Sequence, residues 1–233
     1  MMAPLSAAEW DSIALSLQVS LIAVGLTLPI AYALAWLLAR RRFPGRMLLD
    51  ALVHLPLVVP PVVTGYILLL LFGRTGPIGG WLEATFGLTL MFRWTGAALA
   101  AAVMALPLMV RAMRLSIEAV DRKLVDAART LGASRWHAFR TITLPLSIPG
   151  ILAALVLGFA RSIGEFGATI TFVSNIPGET RTLPLAIYSA LQVPGTDIAV
   201  ARLAVIAVLL SLAALVLSEW LIRRSSGKDA HVV

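Results

Sequence analysis

The chain has 233 residues, 59% of them hydrophobic and only 13% charged, with a formal net charge of +7. Soluble domains run roughly 45–50% apolar and about 25% charged, so a water-soluble globule is excluded and a single integral membrane domain is expected. The basic residues lie between apolar runs, which ties the charge to membrane topology rather than nucleic acid, and the absence of cysteine excludes disulfides, thiol nucleophiles and Cys-ligated metals.

Residues 1–11 carry Glu9 and Asp11 but no Lys or Arg. They lack the basic start of a signal peptide and are expected as an external N-terminal segment. Ser12 to Ala39 is an uncharged run of 28 residues, longer than the roughly 30 Å hydrocarbon core requires, and is read as span 1 (12–39). Span 2 (51–73) contains Pro56 and then Pro60-Pro61 before Val62-Val63-Thr64-Gly65. Adjacent prolines remove consecutive backbone donors, so the helix must bend or break there, either as a static kink covered by neighbours or as a pathway wall or hinge. Span 3 (94–114) ends with Arg111 and Arg114 placed to snorkel.

Between spans 3 and 4 lies a charged loop, 118–145. Leu124, Ala127, Ala128 and Leu131 recur at helical spacing, with Asp121, Arg122, Lys123, Asp126 and Arg129 around them, which predicts a short amphipathic helix. Gly132 ends it, and Ser134 is placed to N-cap a second helix from Arg135 through Arg140. By composition alone such a helix would lie on an anionic inner leaflet.

Span 4 (148–173) holds Arg161 and Glu165 at a depth where each charge costs at least about 2.5–3.5 kcal/mol on insertion scales. Four residues apart, they share a helix face and can neutralise one another, as a structural pair or as part of a pathway. Thr64, Thr169 and Thr171 either line a polar path or bond carbonyls one turn back. Leu183 to Val193, bounded by prolines, is too short and polar to span and is expected as a short interfacial or re-entrant helix on the outer side. Span 5 (198–222) precedes a tail, 223–233.

Lys and Arg number 14 in segments 40–46, 111–140 and 223–228, against 4 in segments 74–93 and 181–202. The positive-inside rule then makes the loop and C-terminus cytoplasmic and, with five spans, the N-terminus external. Trp10, Trp36, Trp94 and Trp220 fall near span ends. No repeat is evident, an odd span count cannot divide into inverted halves, and five helices enclose little space, so a central pathway calls for two copies. His54 and His137 lack partners at metal-ligand spacing. There is no phosphate-cradling G-x-x-x-x-G-K-[ST] and no hydrolase motif, so catalysis belongs to a partner.

Asp126-Ala127-Ala128, three residues, Gly132, nine residues, then Ile142-Thr143-Leu144-Pro145 resembles the EAA loop of ABC importer permeases, with Asp126 for the usual glutamate. Leu57 to Tyr66, Arg161 to Phe172 and Ser174 to Thr182 resemble the molybdate permeases within that family. The resemblance implies an all-α polytopic membrane bundle of about five transmembrane helices plus a cytoplasmic coupling helix, in a bacterial inner membrane. It implies a type I importer of two permease copies, two cytoplasmic ATPases and an external, periplasmic or lipid-anchored, molybdate-binding protein. ATP and Mg2+ would sit in the ATPase, with no cofactor in this chain and no nucleic-acid partner. Asp126, Ala127, Ala128, Leu131, Gly132 and Arg135 would couple to the ATPase, while Pro60, Pro61, Thr64, Arg161, Glu165, Thr169 and Thr171 are the pathway or gate candidates. Tungstate, sulfate or thiosulfate are alternative cargoes, and an ion-coupled carrier relaying through Arg161 and Glu165, or a non-transporting scaffold, are alternative functions.

Overall fold

A computed structural model describes residues 5–226; the first residues of the expected external segment and residues 227–233 of the expected tail lie outside it. The described chain is all-helical. Three helices are long and apolar enough to cross a bilayer, or up to five spans if each of two bent pairs counts as one.

Helix α1 (Ala7–Arg40) begins earlier than the uncharged run implies. A capping box starts it: Ser6 N–H donates to Glu9 Oε2 at 2.7 Å and Glu9 N–H to Ser6 Oγ at 3.4 Å. Glu9 is buried within the fold, where Arg202 clamps both its oxygens at 2.5 and 2.6 Å. At 34 residues α1 is about 50 Å long and overshoots the hydrocarbon core.

Span 2 is not one straight helix. It divides into α2 (Arg46–Val58) and α3 (Pro61–Phe72), bent by 117°. The cause is local. Val59 and Pro60 each precede a proline, whose ring drives the preceding residue out of the helical region, and both are extended at ψ 137° and 136°. Pro61 then supplies a ready first-turn residue for α3. Each piece is only about 18–20 Å long.

Helix α4 (Pro77–Phe86) was not expected from the sequence, although Pro77 at its first position and Gly87 at φ +66° beyond its end are readable signals. Arg74 ties it down, donating from Nη2 to Glu83 Oε1 at 2.7 Å, and holds that carboxyl below the usual carboxylate range. Helix α5 (Trp94–Ala119) runs five residues past the expected end of span 3, with Arg114 donating to both Asp50 oxygens at 3.0 and 3.1 Å and to Glu118 at 2.9 Å. His54, expected to be isolated, faces Asp50 at 3.2 Å.

Past the short helices of the charged loop, α6 (Arg122–Thr130), α7 (Arg135–Ala138) and α8 (Leu144–Leu146), span 4 is also divided, into α9 (Ile148–Ile163) and α10 (Gly167–Val173). The expected outer segment is α11 (Leu183–Leu191), moored where Leu183 N–H donates to Ser16 Oγ at 2.5 Å. Helix α12 (Asp197–Ser226) closes the chain, with large apolar side chains such as Val208, Leu212 and Leu215 left exposed, as a lipid-facing helix requires.

The core is the packing of α1, α5 and α9 around the fully buried Leu38, Met109, Met113 and Ile117. In lipid, apolar side chains gain little by leaving solvent, so helices associate through close packing, which favours small residues. Gly150, Ala154 and Gly158 form that stripe on α9. A Cβ at Gly150 would lie 2.2 Å from Ser116 Cβ, and one at Gly158 2.7 Å from Met109 Sδ. Gly150→Val is therefore expected to cost about 1–3 kcal/mol by overpacking, read as a lowered unfolding midpoint in detergent. Gly25→Ala, whose Cβ would meet nothing within 4 Å, should leave that midpoint unchanged or raised.

Candidate functional site: an exposed loop and two broken helices

The loop is two helices joined by a tight cap. Asp121 accepts from Lys123 N–H at 2.9 Å and starts α6 (Arg122–Thr130). Gly132, at φ +92°, ends it: Ala133 N–H reaches Ala128 O at 3.0 Å and Gly132 N–H reaches Arg129 O at 3.1 Å, a Schellman cap that only a left-handed residue permits without strain. Ser134 accepts from His137 N–H at 3.1 Å and opens α7 (Arg135–Ala138).

The second helix does not continue regularly to Arg140. From Phe139 to Thr143 the chain widens into a π turn, then closes through α8 (Leu144–Leu146). Pro145 has no N–H to offer Thr141 O, and its ring crowds that carbonyl, so a wider turn relieves the clash. The segment then bends by 59° into α9. Phe139 on this turn touches three rings: Trp136 at 5.4 Å between centroids, Tyr32 at 6.1 Å and Trp36 at 6.3 Å. The loop is thus braced against α1 as well as continued into α5 and α9. Sequence reasoning missed Phe139, whose only signal is its place three residues after Trp136.

Within the loop, Asp126, Ala127, Leu131, Gly132 and Arg135 are exposed and Ala128 is half-buried. No residue of α6 is buried. Leu131 is 88% and Leu124 49% exposed, so most of the apolar stripe expected on α6 faces away from the bundle rather than into it, and Trp136 on α7 is likewise exposed. That is an unmet surface, since an amphipathic helix of a finished fold turns its apolar side inward.

The second set of candidates lies where the two divided spans meet. Arg161 Nη1 is 2.5 Å from Glu165 Oε2, with the carboxylate side chain only 2% exposed. The two do not share a helix. Glu165 sits in the break between α9 and α10, and its Oε1 accepts from Ala168 N–H at 2.8 Å, so one carboxylate neutralises the end of α9 and caps the start of α10. Gly164 on one side and Phe166 outside the helical region on the other make the break.

Helix α3 packs directly on α10 through two glycines that sequence reasoning passed over. A Cβ at Gly65 would be 2.6 Å from Ala168 O and 2.8 Å from Thr171 Cβ, and one at Gly167 would be 2.8 Å from Pro61 Cβ. The double-proline break and the Glu165 break are therefore neighbours. Pro60 and Pro61 are exposed beside it, while Thr64 and Thr169 are buried. Thr171 donates to Gly167 O at 2.8 Å, the back-bonded alternative rather than a free lining hydroxyl. Among the described residues no three His, Cys, Asp or Glu side chains gather as a metal site.

Residues 28–227 match the family described as "Binding-protein-dependent transport system inner membrane component". The chain is 59% identical to the Escherichia coli (strain K12) "Molybdenum transport system permease protein ModB" over 93% of this chain and 95% of that protein. It is 58% identical to the protein of the same name from Haemophilus influenzae, covering 94% and 96% of the two. Among solved structures, a bacterial ABC transporter that imports the acidic polysaccharide alginate aligns with TM-score 0.75 at 21% identity, covering 94% of this chain and 80% of that one, which speaks for the fold alone. The chain belongs to the inner-membrane permease components of binding-protein-dependent ABC importers.

Proposed function

We propose that the chain is the permease subunit of an ATP-driven molybdate importer. Two copies form the pathway, an external molybdate-binding protein delivers the anion, and two cytoplasmic ATPase subunits, holding ATP and Mg2+, drive the cycle. The N-terminus lies outside and the C-terminus in the cytoplasm, as the basic segments require. The observation that carries this reading is the loop: a short helix capped at both ends and exposing Leu131, followed by a second turn exposing Trp136, the whole continued at either side into bundle helices. Such a body passes displacement without absorbing it, which is what a coupling helix seated on a moving ATPase must do. Asp126, Ala127, Ala128, Leu131, Gly132 and Arg135 form the seated face.

Two copies are supported by the double-proline break. Extended backbone at Val59 and Pro60 cannot lie bare against hydrocarbon, and this chain leaves Pro60 and Pro61 exposed; a second copy or a water-filled pathway between copies must cover them. Pro60, Pro61, Thr64, Arg161, Glu165, Thr169 and Thr171 stand in or beside that wall. The cargo rests on similarity to the molybdate permeases named above.

The test is reconstitution of the chain with its ATPase and binding protein in liposomes, following labelled molybdate. Uptake should need all three proteins and ATP, and excess sulfate should compete poorly. Transport by the chain alone would mean an ion-coupled carrier. Preferred uptake of sulfate would change the cargo but leave the coupling intact.

A further inference from the structure

A cleft of about 320 Å³ opens between the end of α1, α6 and the π turn. Its walls carry Arg40, Arg41, Arg122, Arg129 and Arg135 against one carboxylate, Asp126. Among the described residues none of these arginines is in an ion pair. Arg40 is fixed in place, donating from Nη2 to Ile117 O at 2.8 Å and Val120 O at 3.1 Å, with Arg122 adding a like charge and Glu118, outside the cleft wall, an opposite one near enough to act on it. Arg41 stacks over Trp36 with its guanidinium carbon 5.6 Å from the ring centroid.

Positive charge held this way is costly unless something anionic fills the space. Guanidinium forks match the oxygens of a phosphate group in geometry and charge, and two or more converging on one centre make a strong charge-assisted site. The aromatic floor of Trp36 and Phe139 belongs to the end of an apolar span, where a headgroup would lie.

We propose that this cleft binds a phosphate group, carried by an anionic phospholipid of the inner leaflet or by a soluble phosphate, at the root of the loop. Filling it ties α6 to α1 through a shared anion and sets the angle at which the loop leaves the bundle. The inference rests on the cytoplasmic placement of the loop proposed above, though not on its coupling role.

The experiment uses the full chain in nanodiscs of phosphatidylcholine. One arm adds phosphatidylglycerol and counts retained lipid by native mass spectrometry; the other adds labelled inorganic phosphate in equilibrium dialysis. Either ligand should bind, and which one saturates identifies the source. The pair Arg122→Gln and Arg129→Gln should weaken binding roughly 30-fold, taking about 1 kcal/mol for each basic residue at such a surface. Arg122→Lys with Arg129→Lys should restore most of it, and Arg74→Gln with Arg93→Gln should change nothing. Equal binding by wild type and the glutamine pair overturns the proposal. So does the failure of the wild type to bind either ligand; loss of ATPase co-purification in the glutamine pair would then assign these arginines to carboxylates of the ATPase. A separate label keeps the topology distinguishable: Ala133→Cys, in a chain with no native cysteine, should react with an impermeant maleimide only from the cytoplasmic side.

Discussion

Gly132→Pro is expected to abolish molybdate uptake while the protein still inserts and assembles. Proline is held near φ −65°, whereas Gly132 sits at +92°, and it has no N–H to donate to Arg129 O. The Schellman cap is then lost, the end of α6 frays, and the angle between α6 and α7 is no longer set. A loop that bends when pushed passes little movement to α5 and α9. In the reconstituted complex, ATP hydrolysis should continue but lose its response to the loaded binding protein. Gly132→Ala separates strain from shape: nothing lies within 4 Å of the added Cβ, so the change costs only the left-handed conformation, about 1–2 kcal/mol, and keeps the N–H. It should retain partial uptake. If the proline variant transports normally, the loop is not the element that couples.

The loop was legible because its determinants are local. Gly132 and Ser134 act on backbone groups within a few residues of themselves, and the alternation of small, apolar and charged residues from Asp121 to Leu131 is a helical period read directly from the chain. The same holds for the break at Pro60-Pro61. Its angle of 117° was not legible, because direction depends on what α3 packs against, and that is α10, about a hundred residues on. Glu165 shows the limit most clearly. Spacing put it on one helix with Arg161, and the contact is there, but the helix ends between them and the carboxylate serves α10 as well.

Glu9 and Arg202 are farther beyond sequence reasoning. They stand 193 residues apart, and nothing near either marks the other as its partner. Charge ordinarily stops a span, whereas here a bidentate partner brings the Glu9 carboxylate inside the fold. Gly150, Ala154 and Gly158 lie between these cases: their four-residue spacing is visible, but only the structure shows that the stripe faces α5 and brings Ser116 close.

Removing Arg161 is expected to harm the protein more than removing the charge from both partners. With the arginine gone, Glu165 keeps a carboxylate that is 2% exposed, and breaking a buried pair from one side costs about 3–5 kcal/mol. Arg161→Gln should therefore lower the yield of assembled permease and its unfolding midpoint in detergent sharply. The informative partner is Glu165→Gln rather than Glu165→Ala, since the amide oxygen can still accept from Ala168 N–H and cap α10. Arg161→Gln combined with Glu165→Gln leaves no unpaired charge and preserves the cap, so it should recover much of the lost stability, with an interaction energy well above the few tenths of a kcal/mol typical of independent sites. Glu165→Ala loses pair and cap together and should be the worst of the series. Uptake then separates structure from pathway: a stable double-glutamine permease that transports normally makes the pair a brace between two half-helices, whereas one that assembles but does not transport makes its charges part of the route. If the single and double variants unfold alike, the two side chains do not depend on one another and the buried carboxylate is compensated from elsewhere.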